Sequence, residues 1–450
     1  MKRTSMGRFR RRSSWIKDTI GFPGGLPSRW LALLVALAVS TCTPSQPEGT
    51  AERRDDVGHL RSGLEVLLAD SLHLLEGRSV GLVTNHTGVI LRAVGQQAGA
   101  QREMGTTIDA LFEAPEVNLV ALFGPEHGIR GQEEGGARIE SGTDERTGLP
   151  IHSLYGETLR PTPEMLEGVD VLVFEMQDVG ARYYTYVSTM AYAMEAAGAA
   201  GIPFVVLDRP NPIRGDVVQG NVLDPAFSTF VGLYPVPMRH GMTVGELARL
   251  FVAEFEIDVE LHVVPLDGWR RDMTFDQTGL PWVPPSPNMP SLESALAYPG
   301  TCLFEGTPLS VGRGTDRAFQ WIGAPWLDGA ALADALEGYG FEGVRFEEAT
   351  FTPRDPGDGK FPDLAVRGVR LVATSSTYDA PRVALAALLE ARAQSGDRWT
   401  WRVSHFDRLA GTDELRLGIE EGLGLEELTA GWAEDLQRFE SLRTPYLLYR

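Results

Sequence analysis

The sequence predicts an α/β fold, a Rossmann-like and mainly parallel sheet domain followed by a smaller α+β C-terminal domain. Two observations carry this. Four apolar runs that read as buried strands, Ser79 to Thr84, Asn118 to Phe123, Val169 to Phe174 and Pro203 to Leu207, each break off into charged or amide side chains. Stretches with helical periodicity separate later runs, which is the βαβ order of a parallel sheet. In such sheets ligands bind outside the carboxyl ends of the strands, where loops carry the polar groups that buried strands cannot. The chain therefore reads as an enzyme or a small-molecule binder.

Taken in order, residues 1–42 form an export signal rather than part of the fold. Lys2, Arg3, Arg8, Arg10, Arg11, Arg12, Lys17 and Arg29 stand against Asp18 alone, and Trp30 to Val39 is an unbroken apolar run too short to span a bilayer. It ends in Val39-Ser40-Thr41-Cys42, which resembles the lipobox of bacterial lipoproteins with Cys42 as the lipidated residue. The expectation is an exported protein, periplasmic or lipid-anchored to the cell envelope, that meets a membrane only through that anchor. Residues 43–63 read as a flexible tether.

Residues 64–285 read as the Rossmann-like catalytic domain. Tyr186 to Gly201 is its clearest helix, with Val187, Met190, Ala191, Met194 and Ala197 at helical spacing and Gly201 ending it. Thr243 is placed to cap a second helix whose buried face is Leu247, Leu250 and Phe251. Ile257 to Pro265 alternates as a further strand. From about Trp269 to Pro299 the composition shifts to Pro, Asn, Ser and Trp, marking a boundary. Residues 286–450 form the C-terminal domain, expected to complete the active-site cleft. In it Ala330 to Tyr339 and Pro381 to Gln394 read as helices, Val366 to Ala373 as a strand, and Leu425 to Leu442 as one long terminal helix.

Composition excludes several function classes. A chain of 450 residues, 43% hydrophobic and 23% charged, is long enough for two cores. A net charge of −20 argues against a nucleic-acid partner, since phosphate binding needs basic patches that displace counterions. With Cys42 and Cys302 as the two cysteines there is no disulfide framework, and Cys302 is expected to pack in the core. Gly312 and Gly314 lack the rest of a dinucleotide fingerprint, and Lys360 is the single lysine beyond the signal, so no cofactor is expected. His86, His127 and His240 lie in loops without HxH, HExxH or Cys-pair spacing, and no metal is expected.

The chemistry-bearing residues cluster after the strands. In Gly124-Pro125-Glu126-His127-Gly128-Ile129-Arg130-Gly131 the turn residues shape a backbone that presents Glu126, although a solvated turn with incidental charges has the same composition. A carboxyl presented beneath an apolar wall is suited to general acid catalysis. The second cluster runs from Glu175 through Gln177, Asp178, Arg182, Tyr183 and Tyr184, offering aromatic faces to a sugar ring and donors to its hydroxyls. The alternative is a structural ion pair of Glu175 or Asp178 with Arg182. Glu126 and Glu175, on neighbouring strand ends, match the carboxylate pair of glycoside hydrolysis. Further on, Asn288, Glu305 and Arg313 lie in polar, glycine-rich loops, where Glu305 and Arg313 either serve the site or brace two loops against each other.

Seven ordered motifs sharpen this reading: Gly81 to Gly88, which contains Asn85; Phe123 to Gly131; Gln177 to Tyr186; Asp208-Arg209-Pro210-Asn211-Pro212; Arg239-His240-Gly241-Met242-Thr243; Ser286-Pro287-Asn288-Met289-Pro290; and Glu305-Gly306-Thr307. Together they resemble the bacterial exo-β-N-acetylmuramidase family, long known as a domain of unknown function, over about residues 64–450. The resemblance implies an exported enzyme that removes terminal N-acetylmuramic acid from the non-reducing end of peptidoglycan fragments, in cell-wall turnover and recycling. It implies a catalytic acid at Glu126. The partner role of Glu175 comes from the residue reading alone. Asn85, His127, Arg130, Asp178, Arg182, Tyr183, Tyr184, His240, Asn288, Glu305 and Arg313 are expected to bind the muramyl saccharide. One of Arg130, Arg182 and Arg313 is expected to grip its lactyl carboxylate. A peptidoglycan-binding lipoprotein without turnover and a metal-dependent hydrolase are the competing classes.

Overall fold

Strand alternation explains the central sheet. In Val171–Glu175, Val171 and Val173 face one apolar cluster while Leu172 and Phe174 face another, so both sides of the strand are buried. The same holds for its neighbours, and seven strands line up in the order Leu261–Val264, Phe204–Leu207, Val171–Glu175, Ser79–Thr84, Asn118–Gly124, Pro150–Ser153, Gly142–Thr143. All pairings are parallel except the last, where Gly142–Thr143 runs antiparallel to Pro150–Ser153. From Ser79–Thr84 the chain adds Asn118–Gly124 and Pro150–Ser153 on one side and then Val171–Glu175, Phe204–Leu207 and Leu261–Val264 on the other, which opens a crevice at the carboxyl ends of the three middle strands. The computed structural model describes residues 60–94, 101–129 and 140–450; the export signal with Cys42, the tether up to residue 59, and Arg130 lie outside the described residues.

The α/β class read from the sequence is the one observed, and three of the four strand runs coincide with strands to within a residue. The fourth begins two residues later than expected, at Val171. The helix Tyr186–Ala200 covers one face and ends at Gly201, whose φ of 69° is the left-handed conformation of a C-cap. Val244–Glu254 starts with a capping box in which Thr243 accepts from the Glu246 amide and the Glu246 side chain answers the Thr243 amide.

Beyond residue 286 a three-stranded antiparallel sheet, Trp321–Ala324, Val366–Ala373 and Val344–Phe351, packs with helices Gly329–Glu337 and Leu292–Thr301, and Ala380–Ser395 packs on both helices. One apolar cluster runs without a break from Phe174 and Met194 to Leu371, Leu385 and Phe406, and holds Cys302. The expected single terminal helix is two, Leu425–Thr429 and Trp432–Arg443, because Ala430-Gly431 interrupts it; glycine in a helix interior costs roughly 1 kcal/mol relative to alanine. The chain then returns to the sheet, where the Tyr449 hydroxyl donates to Asp208 at 2.5 Å.

Candidate active site

The strand Asn118–Gly124 ends in a tight turn closed by the Gly128 amide donating to the Pro125 carbonyl at 2.9 Å. His127 and Gly128 both adopt positive φ, 70° and 67°. Left-handed backbone is uncommon outside glycine, although histidine is among the residues enriched there. The result holds Glu126 half-buried while Pro125 and His127 are buried around it. This turn faces the start of helix Tyr186–Ala200. Thr185 occupies the N-cap position without capping; its hydroxyl instead donates to Glu126 Oε2 at 2.5 Å. A threonine that would ordinarily satisfy a helix amide is thus committed to the carboxylate. From the other side Tyr155 approaches Glu126: burial first, then the carboxylate's charge and hydrogen bond, hold its phenol proton far above the usual range.

A cleft of about 70 Å3 forms here, lined by Glu126, His127, Tyr183, Tyr184 and Thr185 and, from the C-terminal half, by Ser286, Asn288, Met289, Tyr298, Arg313 and Phe319. It is smaller than the roughly 300 Å3 at which small-molecule sites begin, so it takes part of a sugar rather than an oligosaccharide. Tyr298 stands edge-on to Tyr183, Tyr184 and Phe319, with ring centres 4.7 to 5.9 Å apart. The Tyr183 hydroxyl is committed to the carbonyls of Tyr298 and Pro299, leaving its ring for the cleft.

A polar layer lies behind this wall. The Gly180 amide donates to Asp178 Oδ2 at 2.7 Å, and Gly180 is required there, since its φ is 83° and a Cβ would sit 2.5 Å from Asn211 Oδ1. His240 accepts from the Met242 amide through Nδ1, which leaves the ring proton on Nε2, 3.6 Å from Asp178 Oδ2. Thr87 links Asn85 to the Gln177 amide. Buried and without a hydrogen-bonding partner in the protein are Asn85 Nδ2, Gln177 Oε1, Asp178 Oδ1, Tyr184 Oη and His240 Nε2. Buried polar atoms are nearly always satisfied, so a concentration of open valences beside a cleft marks a place built for polar ligands.

Several expected residues are elsewhere. Glu175 has no exposed surface; it pairs with Arg209, accepts from Thr107 at 2.8 Å, and lines no part of the cleft. The two-residue period explains this: Phe174 faces the helix Tyr186–Ala200, so the next side chain points to the opposite face of the sheet. Arg182 is also buried and lines no part of the cleft. Its guanidinium donates to the carbonyls of Asn221, Val236, Leu409 and Ala410 at 2.7 to 3.1 Å, and burial lowers its pKa to about 10. Neither Glu175 nor Asp178 pairs with it. Arg313 does reach the cleft, and Glu305 holds it there through a salt bridge and a 2.7 Å hydrogen bond. Burial works against the Glu305 charge, but Arg313, His405 and Lys360 outweigh it and bring its pKa down to about 2. Bracing and site-lining are therefore the same interaction. Of the three candidate arginines, Arg313 alone among the described residues lines the cleft.

The sequence reading missed Thr185, Tyr155 and the aromatic pair Tyr298 and Phe319. Thr185 lies inside the Gln177 to Tyr186 motif just before a helix, where a threonine is expected as a cap and not as the partner of a distant carboxylate. Tyr155 follows the strand Pro150–Ser153, whose proline and histidine disguise a short strand.

The comparisons converge. Residues 80–293 match the model described as exo-β-N-acetylmuramidase NamZ, N-terminal, and residues 296–449 match its C-terminal counterpart. The chain belongs to the NamZ family of exo-β-N-acetylmuramidases. Over 421 residues it is 42% identical to the peptidoglycan β-N-acetylmuramidase NamZ of Bacillus subtilis (strain 168), covering 93% of this chain and 97% of that protein. Among solved structures, two DUF1343 family proteins of Bacteroides fragilis NCTC 9343 superimpose with TM-scores of 0.78 and 0.66, at 37% and 32% identity. Each alignment covers 87% of this chain and 99% of the other. The NamZ family models divide the chain next to Ser286-Pro287-Asn288, the segment that closes the cleft from the C-terminal side.

Proposed function

We propose that this chain is an exo-acting β-N-acetylmuramidase that hydrolyses the terminal non-reducing N-acetylmuramic acid from peptidoglycan fragments, with Glu126 as general acid. Glu126 gives its proton to the glycosidic oxygen as the bond from that oxygen to C1 breaks, and water then supplies the hydroxyl to C1 while its remaining proton restores the acid form of Glu126. The observation that carries this is a carboxylate at a strand's carboxyl end, gripped by Thr185 and walled by aromatic rings, in a chain of the NamZ family. Arg313 is the residue we assign to the lactyl carboxylate, because it is the cation of the cleft. Asn85, Asp178, Tyr184 and His240 orient the polar substituents through their open valences, and His127 and Asn288 complete the rim.

Glu126→Gln keeps the shape of the side chain and removes the transferable proton. Turnover of a chromogenic β-muramide should fall by roughly 10²- to 10⁴-fold while the urea midpoint stays put. Full-speed turnover by that variant would leave a binding protein or a different acid as the better reading. We further propose export through residues 1–42, with the envelope as the site of action and Cys42 as the anchor. The basic stretch and apolar run support it, and mass spectrometry of the mature amino terminus tests it.

A further inference from the structure

Beside the Glu126 cleft lies an open groove of about 420 Å3 lined by Tyr155, Leu159, Thr229, Phe230, Val231 and Arg408. That volume lies within the roughly 300–1,000 Å3 range of small-molecule sites. Tyr155 joins the two. Its hydroxyl addresses Glu126, and its ring forms the groove wall with Phe230, centres 6.0 Å apart and planes tilted by 44°. Paired aromatic faces of this kind suit the apolar face of a sugar ring.

Arg408 is the charged residue of the groove and does not line the Glu126 cleft. Its guanidinium bonds to His405 Nδ1 at 2.6 Å, and among the described residues no carboxylate lies within salt-bridge distance of it. It is carried on the exposed side of helix Val403–Ala410, whose carboxyl end Arg182 pins through the carbonyls of Leu409 and Ala410. In a chain of net charge −20, an arginine held on a pinned helix without an acid offers its fork to an external carboxylate.

Peptidoglycan alternates N-acetylglucosamine with N-acetylmuramic acid. Removing a terminal muramyl residue therefore leaves a neutral sugar next to the broken bond and an anionic one beyond it. The groove holds the two kinds of group that this order needs, aromatic rings and a cation, with Tyr155 linking them to Glu126. We propose that this groove is the aglycone site, in which the glucosaminyl residue packs on Tyr155 and Phe230 and Arg408 binds the lactyl carboxylate of the second muramyl residue. The assignment rests on the muramidase reading and adds a preference for chain length.

The test compares wild type with Arg408→Ala on three substrates: a chromogenic β-muramide, the muramyl-glucosaminyl disaccharide, and the peptide-free muramyl-glucosaminyl-muramyl trisaccharide. Wild type should favour the trisaccharide over the disaccharide by about tenfold in kcat/KM, the worth of one charge-assisted contact, and Arg408→Ala should erase that ratio. Phe230→Ala should lower kcat/KM on both saccharides more than on the chromogenic muramide. The inference is overturned if wild type shows no trisaccharide preference, if Arg408→Ala retains it, or if the variant is impaired only on peptide-bearing chains. Absence of turnover by wild type on all three would instead remove the muramidase reading, and the groove's role with it.

Discussion

Thr185 shows how a single side chain is diverted from capping a helix to holding a carboxylate. At an N-cap a threonine hydroxyl contributes about 1 kcal/mol by accepting from the helix amides, yet here it donates to Glu126. Glu175 shows the reverse, a carboxylate whose position in the sequence suggests chemistry and whose surroundings are structural. Its neutral isostere separates the two roles. Glu175→Gln leaves Arg209 buried without its counter-charge and should lower unfolding free energy by about 3–5 kcal/mol in urea titrations, with kcat of the folded enzyme within a few-fold of wild type. A variant with unchanged urea midpoint and collapsed kcat would restore Glu175 to the reaction. The presentation of Glu126 was legible because glycine, proline and histidine around it encode a turn that presents a side chain. The burial of Glu175 was not legible, because chain proximity to Gln177 and Asp178 conceals which face of the sheet a strand's last residue occupies.

At the scale of elements, strands and helices buried on one consistent period were legible, as Ser79–Thr84 and Val244–Glu254 show. Short edge pieces such as Gly142–Thr143 were not, since two residues carry no period. Nor was the role of Arg182, which depends on four carbonyls from segments up to 228 residues away. It acts as a cationic cap: Leu409 and Ala410 end the helix Val403–Ala410, where carbonyls lack helical partners and a positive charge is favoured. Arg182→Met preserves the stem and removes every donor. It should cost about 3–5 kcal/mol, and hydrogen exchange should accelerate first in the amides of Val403–Ala410. The selectivity for muramides over glucosaminides should persist, whereas Arg313→Ala should narrow it.

For the molecule as a whole, the buried pair Glu305 and Arg313 ties stability to pH. The folded carboxyl titrates at about 2, below its ordinary value of 4.5. A depressed carboxylate contributes stability that is complete above its unfolded pKa and is lost as pH falls toward the folded one. The pair should therefore add up to about 3 kcal/mol at neutral pH and lose it between pH 4.5 and 2. Urea midpoints measured across that interval should drop more steeply in wild type than in Glu305→Gln, and parallel slopes would refute the assignment. The opposite condition, high pH, leaves this contribution intact.

The bond from Tyr449 to Asp208 has a temporal consequence. Its partners are separated by 241 residues, so during synthesis the carboxylate at the end of a central strand waits for a hydroxyl that leaves the ribosome long afterwards. Until then Asp208 holds only the donors that Thr243 and the Gly245 amide supply, so the end of the strand Phe204–Leu207 is fully satisfied only once the last residues of the chain have been made.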